Sequence, residues 1–179
     1  MKRNQPYTSP SGFRFTEIQR FRQVWARLLV GALAGLSWYA FIQQVLLGIP
    51  FGNNPGSDAF VAVICILFGI VFPAWFFSIA LEVRVDDQVL SYRMFPLQIR
   101  WREVTKPEIA GVSLINYRPL REYGGWGIRL GRQGIAYTVS GNRGVVIRLK
   151  SGRSFLLGSQ RADELETVLL AMTDRESRV

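Results

Sequence analysis

The chain has 179 residues, a formal net charge of +9, one Cys and no His. That composition removes the side chains most used for general acid–base catalysis, zinc ligation and thiol nucleophiles, and it excludes a disulfide within one chain. A non-enzymatic protein without a cofactor is therefore expected, and the positive charge points to an acidic partner surface.

Residues 1–27 are a basic segment, with Lys2, Arg3, Arg14, Arg20, Arg22 and Arg27 against Glu17 alone. The first twelve residues carry no hydrophobic period and read as flexible. From Phe13, the apolar positions Phe13, Ile18, Phe21 and Trp25 recur among arginines. Two readings fit that spacing: an amphipathic helix lying at a membrane interface, or a polar tail that sets topology. In both, Arg20, Arg22 and Arg27 are basic groups at the membrane surface.

Residues 28–81 form a hairpin of two uncharged apolar runs, Leu28–Leu47 and Ala59–Leu81, joined by a turn containing Asn53, Asn54, Pro55, Gly56 and Asp58. At 1.5 Å rise per residue they make helices of roughly 30 and 34 Å, enough to cross the hydrocarbon core of a bilayer. Lys and Arg are concentrated on both flanks, so both termini are expected in the cytoplasm and the turn outside, in a multi-pass cytoplasmic-membrane protein. Basic residues beside a span are accounted for by topology and by anionic lipid, which leaves nucleic acid out as a partner. Gly31 and Gly35 in the first run, and Cys65 and Gly69 in the second, form small-residue stripes. Their simplest use is packing inside the hairpin, with homo-oligomerisation or docking on another membrane protein as alternatives. Pro73 predicts a kink, because it has no N–H for the Gly69 carbonyl. No Asp, Glu, Lys or Arg is embedded in either run, which argues against a pump or channel.

After Leu81 the hydrophobic period changes to two. Leu81, Val83 and Val85 alternate with charged residues, and Asp86-Asp87-Gln88 turns the chain into Leu90, Tyr92 and Met94. The alternation recurs at Leu97, Ile99 and Trp101, at Ile135, Tyr137 and Val139, at Val145, Ile147 and Leu149, and at Phe155 and Leu157. With Ile109–Tyr117 and a short piece around Ile128, about seven strands are predicted. Ser159 can cap a final helix whose apolar stripe is Leu165, Val168, Leu169 and Met172. Strands followed by one amphipathic helix describe an α+β domain, a partly open barrel or sandwich closed by that helix.

In that order of elements, the segments Tyr123-Gly124-Gly125-Trp126-Gly127-Ile128-Arg129 and Ala136-Tyr137-Thr138-Val139-Ser140-Gly141-Asn142-Arg143-Gly144-Val145 stand out. Together they resemble small prokaryotic membrane proteins that carry a pleckstrin-homology-like (PH-like) domain, over about residues 30–172. The resemblance implies a PH-like partly open β-barrel with a C-terminal helix over residues 82–172, and a membrane setting; the residues after that helix, 173–179, read as a flexible tail. It implies no activity. Phosphoinositide-binding members of the wider pleckstrin class usually place Lys and Arg in the first hairpin loop, whereas here the loop carries two carboxylates that would repel phosphate.

Gly124, Gly125, Trp126 and Gly127, with Arg129, Arg132 and Arg143, are the candidate binding residues, since glycines admit close backbone approach and Trp with Arg can anchor an interface. A structural corner is the competing account of the same glycines. The functional expectation is an adaptor or scaffolding subunit that binds a protein partner, itself membrane-bound, at the cytoplasmic membrane surface. An anionic-lipid sensor is the alternative. Either would also contact membrane lipids.

Overall fold

The computed structural model describes residues 12–131 and 134–174. The chain divides into an apolar helical unit, Arg22–Ser78, and a sheet-rich unit taken from both sides of it, up to Phe21 and from Ile79 onward. The architecture is α+β, with two long apolar helices, two sheets and no closed barrel among the described residues.

Helix α1 spans Val24–Leu46 and helix α2 spans Asp58–Ser78. Their 23 and 21 residues give lengths of about 34 and 32 Å. Both are long and apolar enough to cross a membrane, and most of their side chains are uncovered by protein. Gln44 organises the turn between them. Its Nε2 donates to the Gly56 carbonyl at 2.7 Å and to Asp58 Oδ1 at 3.0 Å, and its Oε1 accepts from Phe51 N–H. Ser57 caps α2 by accepting from the Phe60 N–H, and Asp58 suits the positive end of that helix.

A π-helical turn over Leu67–Val71 lies just before Pro73, and a second such turn, Ile42–Leu46, ends α1. Pro73 cannot donate to the Gly69 carbonyl, and the indole Nε1 of Trp38 on α1 donates to it instead, at 3.3 Å. Gly69 is needed for that approach, because a Cβ there would lie 3.0 Å from Trp38 Nε1 and 3.3 Å from Cys65 Sγ. The small-residue stripe of α2 thus packs in the hairpin. The stripe of α1 does not: a Cβ on Gly31 or Gly35 would meet nothing within 4 Å.

The sheet-rich unit has nine strands among the described residues, against about seven predicted. The first sheet runs β1 (Phe15–Arg20), β2 (Ala80–Val85), β3 (Val89–Phe95) and β4 (Arg102–Thr105), all antiparallel. The second has the order β5 (Ile109–Asn116), β8 (Arg143–Leu149), β9 (Ser154–Gly158), β7 (Gly134–Thr138) and β6 (Gly127–Gly131). Its pairs are antiparallel except β7 with β9. A short helix α3, Pro119–Tyr123, precedes β6, and α4, Ala162–Asp174, packs on β5 and β8. Leu165, Leu169 and Met172 of the predicted stripe are buried there, and Glu166 accepts from the Leu114 N–H of β5 at 2.8 Å. The aromatic contact between sheets is Tyr92 of β3, stacked on Phe155 of β9 and edge-on to Tyr137 of β7, with centroids 5.0 and 4.9 Å apart.

Two local expectations are corrected. Phe15–Arg20 is neither an interfacial helix nor a loose tail but a strand, in register with β2 from Phe15↔Val85 to Arg20↔Ala80. The helical unit is therefore an insertion between two paired strands. Residues 97–101 are not a strand but an irregular connection between β3 and β4. Of the segments expected to be flexible, 1–12 and 173–179, residues 1–11 and 175–179 fall outside the described residues, whereas Thr173 and Asp174 belong to the last turn of α4.

β1 turns two polar side chains inward. Gln19, 1% exposed, donates from Nε2 to the Gly158 carbonyl at 2.8 Å. Glu17 accepts from the Ser159 hydroxyl at 2.6 Å and the Gln160 N–H at 3.0 Å, while Ser159 Oγ accepts from Arg161 N–H. The strand before the hairpin is thereby tied to the entry of α4.

Glu17→Ala leaves the Ser159 hydroxyl and the Gln160 N–H without their acceptor, and it should lower stability by about 1–3 kcal/mol in detergent-solubilised full-length protein, with Glu17→Gln losing less. In the hairpin, Gly69→Leu overpacks the Trp38–Cys65 seam at about 1–3 kcal/mol. Gly31→Leu should be close to neutral in the same thermal-unfolding measurement.

Candidate interaction surfaces

The glycine and tryptophan segment begins where α3 ends. Gly124 takes a left-handed conformation at φ 68°, so that its N–H donates to the Leu120 carbonyl and the Gly125 N–H donates to Pro119. Gly127, at φ 117°, completes the change of direction into β6. The Trp126 indole Nε1 then donates to the Gly141 carbonyl at 3.0 Å, which fastens the start of β6 to the turn before β8. That turn is itself held, by Tyr117 N–H to the Asn142 carbonyl and by Gln160 Nε2 to Ser140 Oγ. Backbone conformation and one indole hydrogen bond account for the segment as a corner of the chain.

Two of the candidate arginines join this corner. Arg129 Nε donates to the Trp126 carbonyl at 3.3 Å, and Arg143 pairs with Asp163 of α4 at 2.7 Å. Arg132 lies outside the described residues. Arg20 ends β1, and Arg22 and Arg27 stand on either side of the start of α1, all three exposed. The hydrogen bond from Arg143, with its charge in support, holds the Asp163 carboxyl below its ordinary range. The pair is thus present above that lowered pKa and lost as pH falls through it.

The turn between β2 and β3 is acidic, as predicted, and its acids are occupied. Asp86 Oδ1 accepts from the Gln88 and Val89 N–H groups at 2.7 Å each, and Asp87 forms an ion pair with Arg14. Carboxylates that already hold the turn offer no phosphate cradle.

A second cluster, on the outward face of the first sheet, escaped the sequence reading. Arg84 of β2 and Arg93 of β3 place their guanidinium carbons 4.4 and 4.5 Å from the Trp101 ring centroid. Glu82 accepts from Arg93 Nη2 with both carboxylate oxygens, at 3.0 Å each. Phe13 completes the group, 5.5 Å from Arg84. The signal was present in the outward positions of the alternation, Glu82 and Arg84 against Arg93, but nothing in the spacing announces that Trp101 returns to them. Such contacts are worth about 0.5–1 kcal/mol each at exposed sites. They fix the end of the β3–β4 connection.

In the interior, burial pushes the Tyr92 hydroxyl far above the ordinary phenol range, with Tyr137 adding to the shift. Burial does the same to Tyr117. Both stay protonated across the physiological range. Among the described residues, no group of three or more His, Cys, Asp or Glu is placed to hold a metal ion.

In comparisons with protein-family models, curated proteins and solved structures, no match to this chain is found.

Trp126→Phe keeps the ring and removes the donor to Gly141. It should cost about 0.5–1.5 kcal/mol and speed amide exchange in the 140–143 turn. Arg143→Gln should return the Asp163 pKa upward toward the ordinary carboxylate range, read by NMR titration of the side-chain carboxyl.

Proposed function

We propose that the protein is a membrane-anchored, non-enzymatic adaptor or scaffolding subunit, whose PH-like domain binds a protein partner at the cytoplasmic membrane surface. The observation that carries this reading is the insertion of two bare apolar helices between β1 and β2. Helices of that length and polarity, with uncovered side chains, suit lipid as their surroundings. Because the strands flanking the hairpin pair with each other, its two ends emerge on one side of the membrane, which an even number of spans satisfies. The excess of Lys and Arg on both flanks favours the cytoplasmic side.

Two sheets closed by a terminal helix are compatible with the PH-like resemblance, and the acid-filled first turn argues against inositide phosphates as its ligand. The corner at Trp126, with Arg129 and Arg143, is the surface assigned to the partner. Restriction to the membrane plane raises the effective concentration of partners near that surface, which is the mechanism of an adaptor.

Full-length protein solubilised from native membranes in mild detergent should retain a stoichiometric partner through moderate ionic strength. If it instead binds only anionic vesicles, and salt abolishes that binding, the adaptor reading fails in favour of a lipid sensor. In intact cells, an external protease should leave residues 82–174 uncut.

A further inference from the structure

Strand register places one loop of the sheet-rich unit at the end where the chain enters and leaves the helices. Arg20, Ala80 and Phe95 are successive partners across β1, β2 and β3. Adjacent strands lie about 4.8 Å apart, so these three Cα atoms fall within roughly 10 Å of one another. Ala80 stands two residues after Ser78, the last residue of α2. Two residues reach at most about 7 Å, which confines Phe95 to roughly 12 Å from the end of that helix by covalent and ladder geometry alone.

From Phe95 the chain leaves the sheet and returns at Arg102. Within this connection Leu97 is 49% exposed and Ile99 67% exposed, and Arg100 beside them is exposed too. Connections of this kind normally carry Gly, Asn, Asp and Ser, and two large aliphatic side chains held out from a loop leave apolar surface uncovered. Trp101, held against Arg84 and Arg93, anchors the end of the connection that leads into β4.

We propose that Leu97 and Ile99 enter the boundary between headgroups and acyl chains of the bilayer that α1 and α2 span, giving the domain a third point of membrane contact. The proposal rests on the membrane reading of the hairpin. The headgroup region of one leaflet is only about 5–8 Å thick, so a loop whose first residue, Phe95, starts within roughly 12 Å of a span's end has the reach to enter it. Charge agrees with position, since exposed Arg100 follows Ile99 directly and exposed Arg20 lies at the same end of the first sheet as Phe95, and both suit an anionic leaflet. Aliphatic side chains beside arginines match the chemistry of that boundary, with carbon inward and guanidinium at the phosphates.

The test uses the full chain with Cys65→Ala, reconstituted in vesicles of phosphatidylcholine with a minority of phosphatidylglycerol. Nitroxide labels are introduced singly at Ile99→Cys, at Phe68→Cys in α2, and at Ser151→Cys in the β8–β9 turn. Accessibility to a water-soluble nickel relaxant should be several-fold lower at position 99 than at 151, and accessibility to oxygen higher. A label at 68 that reports lipid while 99 matches 151 overturns the loop contact and leaves the hairpin standing. A label at 68 that reports water overturns both. All three sites have exposed side chains, so circular dichroism of each variant should match the parent, and a variant that differs is replaced by the equivalent label at Leu97.

Discussion

The pairing of β1 with β2 is the contact on which the remainder of the structure depends. It joins residues separated by the whole helical unit, from Phe15↔Val85 to Arg20↔Ala80. Without it the first sheet loses an edge strand, and Glu17 and Gln19 lose their places against Ser159, Gln160 and Gly158. Those hydrogen bonds lie at the point where β9 gives way to α4, so the strand before the hairpin also steadies the helix that covers the second sheet. Closing so long a loop carries an entropic cost that grows only slowly with length. The register and three buried side chains, Phe15, Glu17 and Gln19, suffice to specify it.

Much of the sheet-rich unit is legible because its burial follows its hydrophobicity. Leu81, Val83 and Val85, then Leu90, Tyr92 and Met94, point inward as their alternation predicts, and so do Leu165, Leu169 and Met172 of the last helix. The failures come where that correspondence breaks. In β1 the inward face is Phe15, Glu17 and Gln19, while Ile18, the most apolar residue of the outward face, is 59% exposed. A pattern search scores such a strand backwards, since two of the three inward residues are polar groups whose partners lie some 140 residues away in the chain. Residues 97–101 fail in the opposite sense. Their period of two is perfect, yet Leu97 and Ile99 have no sheet to face. Alternation records which residues could make a strand, and only a pairing partner makes one.

The two tryptophans in the candidate surfaces show the same distinction. Three glycines surround Trp126 in the sequence, and in the structure they turn the chain while its indole donates to the Gly141 carbonyl. Trp101 ends an alternating run, and it gathers Arg84, Arg93 and, through Arg93, Glu82. Its neighbours come from β2 and β3, at sequence separations that short-range motifs do not register. The hairpin offers a parallel case. Gly69 owes its position to Trp38 rather than to the glycines of α1, because an indole reaching for the carbonyl to which Pro73 cannot donate needs the space a side chain would take.

The inserted hairpin also gives the protein a clock. β1 emerges from the ribosome first, and its partner follows only after some sixty residues, from Arg20 to Ala80. At about 5–20 residues per second that interval is roughly 3 to 12 seconds. Throughout it, an edge strand with Ile18 outward has no ladder to join, and both apolar helices must be synthesised before one can form. A chain that stopped within the helical unit would hold β1 alone, and the first sheet could not be completed. Completion of the first sheet is thus conditional on synthesis of the whole helical unit, so that the paired strands record that both apolar helices have been made.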